Sequence, residues 1–119
     1  MKEFSFEKLK VWQNSTDFIL DIYKATEGFP DTEKYGLTSQ IRRASVSISS
    51  NIAEGSSRST QKDKGRFYNI AYSTAIEVLN QLIIANKLNM LDDSDYKKLR
   101  KDLEEITRML NSLYNSTKR

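Results

Sequence analysis

The chain has 119 residues, of which 38% are hydrophobic and 29% charged, and its formal net charge is +3. It has no Cys and no His, which excludes disulfides and thiolate metal sites and removes the commonest general base and metal ligand. No apolar run approaches the roughly 20 residues of a membrane span, and Met1 to Lys10 lacks a signal-peptide apolar core. The expectation is therefore one cytoplasmic domain over residues 1–119 with no membrane contact.

In chain order, the first periodic segment runs from about Phe6 to Glu27. Val11, Trp12, Ser15, Phe18, Ile19, Ile22, Tyr23 and Thr26 recur at helical spacing. Gly28 and then Pro30 stop it. Asp31 or Thr32 is the expected cap of the next segment, which runs from about Glu33 to Glu54. There Leu37, Ile41, Ala44, Ile48 and Ile52 fall on one stripe. Ser39, Ser45, Ser47, Ser49 and Ser50 are mediocre helix formers, so this helix needs support from its neighbours. The third segment follows the polar stretch Ser56 to Ser59, with Thr60 as its cap and Asp63 three residues on. Phe67, Ile70, Ala71, Thr74, Ala75, Val78, Leu82 and Ala85 form its stripe, and Leu79 and Ile83 widen it. The fourth follows a turn around Asn89. Asp92, Asp93 and Asp95 crowd its start, where the helix dipole favours carboxylates. Tyr96, Leu99, Leu103, Ile106, Leu110 and Leu113 form a bundle seam, and Asn115 to Arg119 read as a frayed tail. Nothing alternates like a strand. Four long helices with short connections predict an all-α, antiparallel up-down-up-down four-helix bundle.

Catalytic and metal motifs are absent. The carboxylate clusters Asp92/Asp93/Asp95 and Asp102/Glu104/Glu105 read as a helix cap and a solvated face. A calcium loop starting at Asp93 fails because Lys97 and Lys98 occupy ligand-loop positions, and no phosphate-binding glycine loop appears. The expectation is a non-enzyme with no cofactor and no metal.

Charge is uneven along the chain. Residues 1–36 hold five basic and seven acidic residues, residues 37–91 seven and three, and residues 92–119 seven and six. Attention therefore falls on the middle. Arg42 and Arg43, with Arg58, Lys62, Lys64 and Arg66, are candidate phosphate contacts; an ordinary solvated face is the competing reading. Arg43, Ser47, Ser50 and Glu54 form a polar stripe on the second helix, with Asn51 and Gln40 beside it. Glu54 sits at a helix C-terminus, where a carboxylate is disfavoured by about 0.3–1 kcal/mol. That implies a cationic partner, with Arg43 or a residue of another helix or subunit as candidates. A buried polar network is the structural reading of this stripe, and a ligand contact the functional one. Arg42, Val46, Ser49 and Ala53 form a third stripe that hints at a subunit interface.

Three strings carry a resemblance: Phe6-x-x-Leu9-x-Val11-Trp12-Gln13, then Phe29-Pro30-x-x-Glu33-x-Tyr35-Gly36-Leu37-Thr38-x-Gln40-x-Arg42-Arg43-Ala44, and Ser47-Ile48-x-x-Asn51-Ile52-Ala53-Glu54-Gly55. With them the chain resembles, over nearly its whole length, the bacterial four-helix-bundle family of 23S ribosomal RNA intervening-sequence proteins. The resemblance implies a bundle that assembles into a ring, a homopentamer, with no catalytic residues. A related branch is similar to the accessory variability protein of diversity-generating retroelements, which implies nucleic acid and a nucleic-acid enzyme as partners. Arg42, Arg43, Asn51, Glu54 and Gly55 carry over as the signature, with structural roles first. Ser49 departs from the pattern, which often has Pro there; its presence implies a straighter second helix. The functional expectation is a homo-oligomer binding RNA or DNA through a basic face, the alternative being a protein-binding scaffold or accessory subunit.

Overall fold

Four helices build the protein in the computed structural model, which describes residues 1–119. They are α1 (Lys10–Thr26), α2 (Leu37–Ser56), α3 (Gln61–Lys87) and α4 (Asp93–Ser116). Each packs on its two neighbours in a closed cycle, α1 on α2, α2 on α3, α3 on α4 and α4 on α1, while the backbones of the diagonal pairs stay apart. The connections are short, so the helices alternate in direction, as an up-down-up-down bundle requires.

The apolar stripes meet in one core. Val11, Phe18 and Ile22 of α1 face Ile41, Ala44, Ile48 and Ile52 of α2, together with Ala71, Ala75, Val78, Leu82 and Ala85 of α3 and Leu99, Leu103, Ile106 and Leu110 of α4. The alanines of α3 let its neighbours approach closely. Leu37 and Leu113 end their stripes only partly buried, and Ile70, expected inside, lies on the outer face.

Two helix starts differ from expectation. Residues Ser5–Lys8 form a 3-10 turn and Leu9 is extended, so α1 begins at Lys10 rather than Phe6. The Glu7 carboxylate accepts from the Phe4 N–H at 2.7 Å, which holds this separate turn. Neither Asp31 nor Thr32 caps α2. Asp31–Glu33 form a second 3-10 turn and Gly36 is the N-cap. There the Glu33 Oε1 accepts from the Leu37 N–H at 3.0 Å, a carboxylate relieving one of the free N–H groups of the first turn. The other caps are as expected. Thr60 accepts from the Asp63 N–H at 3.1 Å and Asp92 from the Asp95 N–H at 2.7 Å. α4 runs into the segment read as a tail, where the Ser116 and Thr117 hydroxyls donate to the Leu113 and Tyr114 carbonyls.

α2 runs unbroken through Ser49, whose hydroxyl donates to the Val46 carbonyl at 2.9 Å. Its serines are supported from both sides: Ser45 and Ser49 are buried and Ser47 half-buried. Gly55, at the last turn, is required by contact. A Cβ there lies 2.7 Å from Tyr68 Cε1 and 3.0 Å from Phe67 Cβ.

Two substitutions in α2 have opposite expected signs. Gly55→Ala forces α2 and α3 apart and lowers stability by about 1–3 kcal/mol, as overpacking does. Ser45 is fully buried with no partner for its hydroxyl, so Ser45→Ala removes an unsatisfied group and improves helix propensity, raising stability by up to about 1 kcal/mol. Urea unfolding midpoints measure both.

Candidate nucleic-acid interface

The alternation of helix direction brings three parts of the chain to one end of the bundle: the start of α1, the α2–α3 connection, and the end of α4. Leu9, Lys10 and Val11 lie beside Met109 and Leu113, and Lys62 and Arg66 lie beside Thr117 and Lys118. Arg58, Lys62, Lys64, Arg66 and Lys118 therefore share this end, where Glu54 and Asp63 are the carboxylates paired with them.

Each cation there is held differently. Arg58 and Arg66 both lie against the ring of Phe67, at 4.4 and 4.6 Å from its centroid, and Phe67 is itself buried. The ring attracts both guanidinium groups. Arg66 also chelates Asp63 Oδ1 through Nε at 3.1 Å and Nη2 at 2.9 Å. Arg58 stands 3.9 Å from both Glu54 and Asp63. Lys64 Nζ donates to the Ser56 carbonyl at 2.9 Å, capping the C-terminus of α2 where the dipole favours a cation. Lys62 is exposed and has no carboxylate partner. Such exposed ion pairs are worth about 0–1 kcal/mol, so a phosphate can displace the carboxylates cheaply.

Arg42 and Arg43 are not part of this cluster. They lie more than three turns before the end of α2, on the order of 20 Å away along the axis. Arg42 turns back onto α1. Its Nε donates to Thr26 Oγ1 at 2.8 Å, its Nη2 to the Tyr23 carbonyl at 3.3 Å, and its guanidinium stacks on the Tyr23 ring at 4.5 Å. It joins the end of α1 to α2, and its charge is half-buried. Arg43 is exposed and lines a shallow polar groove between α2 and α3 with Ser47, Thr74 and Glu77. The six basic residues thus occupy separate surfaces.

The polar stripe of α2 is not a buried network. Arg43, Ser50 and Glu54 are exposed, because α1 and α3 flank α2 on either side of its apolar stripe and leave this side to solvent. Glu54 finds its cation one turn on, in Arg58, rather than in Arg43. Asn51 donates to the carbonyl and hydroxyl of Ser47 within the same helix, at 2.9 and 3.1 Å. Of the stripe Arg42, Val46, Ser49 and Ala53, Ser49 is buried, Arg42 is half-buried against α1, and Val46 remains outward.

The carboxylate clusters are occupied by caps and ion pairs. Asp102 binds Lys98 at 2.8 Å, and Lys98 also reaches Asp21 of α1 at 3.1 Å. Those hydrogen bonds hold the Lys98 ammonium above its ordinary value. Glu104 pairs with Arg100, and Arg108 holds the Glu105 carboxyl below its usual range.

Residues missed from the sequence are Asn69, Tyr114, Thr117 and Lys118. With Lys62 and Arg66 they line a groove of about 760 Å³ between α3 and α4. The antiparallel pairing of α3 with α4 was the signal for them, since it sets the end of one beside the start of the other.

The model of the 23S rRNA-intervening sequence protein family matches residues 7–112. A solved structure of a protein of unknown function from the S23 ribosomal protein family of Bacteroides thetaiotaomicron VPI-5482 is similar throughout. Its TM-score is 0.79 at 25% identity, over 87% of this chain and 97% of that one. No curated protein matches.

Burial pushes the Tyr68 phenol above its ordinary value of 10.0. The folded state keeps this proton where the unfolded chain has released it, so the stabilisation is present below about pH 10 and lost as pH rises through the raised value. Wild type is expected to lose stability above pH 10 more steeply than Tyr68→Phe, as measured by urea unfolding across alkaline pH.

Proposed function

Because the chain belongs to the 23S rRNA-intervening sequence protein family, we propose that it is a non-enzymatic, homo-oligomeric bundle that binds RNA or DNA through the basic end of its helices. The observation that carries this reading is the convergence of Arg58, Lys62, Lys64, Arg66 and Lys118 on that end, with two guanidinium groups held against Phe67. Arg42 drops out of the contact set, since it clamps α1 to α2, and Arg43 belongs to a different surface.

Assembly is supported by apolar side chains left outside the core. Leu20, Ile70, Ile76, Ile84 and Leu88 are 39–63% exposed; three of them lie on α3 and Leu88 directly follows it. Separate apolar surfaces on α1 and α3 suit a head-to-tail contact, which closes into a ring when the rotation permits. In a homopentamer each basic end is repeated five times, and weak phosphate contacts become avid ones. The same apolar residues favour a second reading, a protein-binding scaffold or accessory subunit of a nucleic-acid enzyme.

Sedimentation equilibrium is expected to give about five times the 13.8 kDa chain mass; a monomer at micromolar concentration sinks the oligomer. In gel shifts across salt, binding at about 50 mM is expected to fall steeply with salt and depend little on sequence. The combined Arg58→Ala, Lys62→Ala, Arg66→Ala variant is expected to bind at least about tenfold more weakly. Undetectable binding of wild type at low salt favours the scaffold.

A further inference from the structure

The basic end is not uniform, and one part of it is concave. We propose that the groove between the first turns of α3 and the last turn of α4 holds nucleotides of a single strand, with phosphates on Lys62, Arg66 and Lys118 and a base against Asn69 and Tyr114. This rests on the nucleic-acid reading above and names the form of nucleic acid and where it sits.

The groove measures about 760 Å³, against about 460 Å³ for the groove beside Arg43. Cations stand on both walls. Lys62 and Arg66 are one turn apart on α3, about 6 Å along the axis, and Lys118 faces them from the end of α4. The one carboxylate in the lining is Asp63, and Arg66 already holds it. The sign of the charge therefore selects an anion. The remaining lining suits a base. The Asn69 amide is exposed and free to read a base edge. The Tyr114 ring carries Lys118 Nζ at 4.5 Å from its centroid, which places an aromatic surface beside a phosphate-seeking ammonium.

Width decides against a duplex. Neighbouring helices pack about 8–10 Å apart, and here the approach is close. A Cβ on Gly65 lies 2.7 Å from Thr117 Oγ1 and 3.7 Å from Tyr114 Cε1, so the end of α4 sits directly against the α3 backbone there. A groove between two such helices is narrower than a double helix. It admits a strand whose bases are splayed out and accessible on their edges.

Photo-crosslinking of the full-length protein to a single-stranded RNA carrying 4-thiouridine, with the modified peptides mapped by mass spectrometry, tests the placement. Crosslinks are expected on the peptides holding Asn69 and Tyr114. In fluorescence anisotropy, Lys118→Ala is expected to weaken single-strand binding several-fold and to reduce the salt slope by about 0.7. Asn69→Ala is expected to weaken it about threefold with no change in slope, and Lys97→Ala, at the opposite end of α4, to leave both unchanged. Crosslinks confined to other surfaces, or equal affinity for duplex and single strand with Lys118→Ala binding like wild type, overturn the groove while leaving nucleic-acid binding intact. No binding of any nucleic acid overturns both.

Discussion

Ile41, Ile48 and Ile52 are fully enclosed, and their burial has to sustain a helix whose serines favour other conformations. An isolated segment with five serines among its residues 39–50 forms a poor helix. Apolar burial at about 25 cal/mol per Å² outweighs that propensity only if neighbours close over the stripe from both sides. α1 and α3 do so, and the remaining features follow from how closely they approach. Gly55 is needed because Tyr68 and Phe67 come into contact with α2 at its last turn. Arg42 is held because α1 ends beside it.

The same packing sets the electrostatics. Phe67 lies against Gly55 on one side and offers its ring to Arg58 and Arg66 on the other. The residue that packs against the last turn of α2 thus also holds the guanidinium groups beside it. Lys64 contributes in a third way, by satisfying a carbonyl at the end of α2. Helix packing, helix capping and charge presentation are consequently linked at this end of the bundle.

Charge held in this manner is available to a ligand. The ion pairs of Asp63 are exposed and weak, so exchanging a carboxylate for a phosphate costs little. Arg42 contrasts with them. Its guanidinium is spent on a hydroxyl, a carbonyl and a ring within the subunit, and withdrawing it would break the α1–α2 contact. Two adjacent arginines in sequence, 42 and 43, therefore have different roles because one faces α1 and the other faces solvent.

The four helices, their stripes and the caps at Thr60 and Asp92 were legible in the sequence, because they depend on local spacing and on side chains within one turn. The family was legible too, through residues that packing constrains. The starts of α1 and α2 were not, since each follows a 3-10 turn that no periodicity marks, whose glutamate, Glu7 or Glu33, accepts from the N–H of Phe4 or Leu37. Nor was the membership of the basic surface. Nearness in sequence grouped Arg42 and Arg43 with Arg58, although a helix carries them far apart, and it left out Lys118, which antiparallel pairing brings to Lys62. Helix spacing decides which residues share a face, but only the packing of one helix against another decides which faces share a surface.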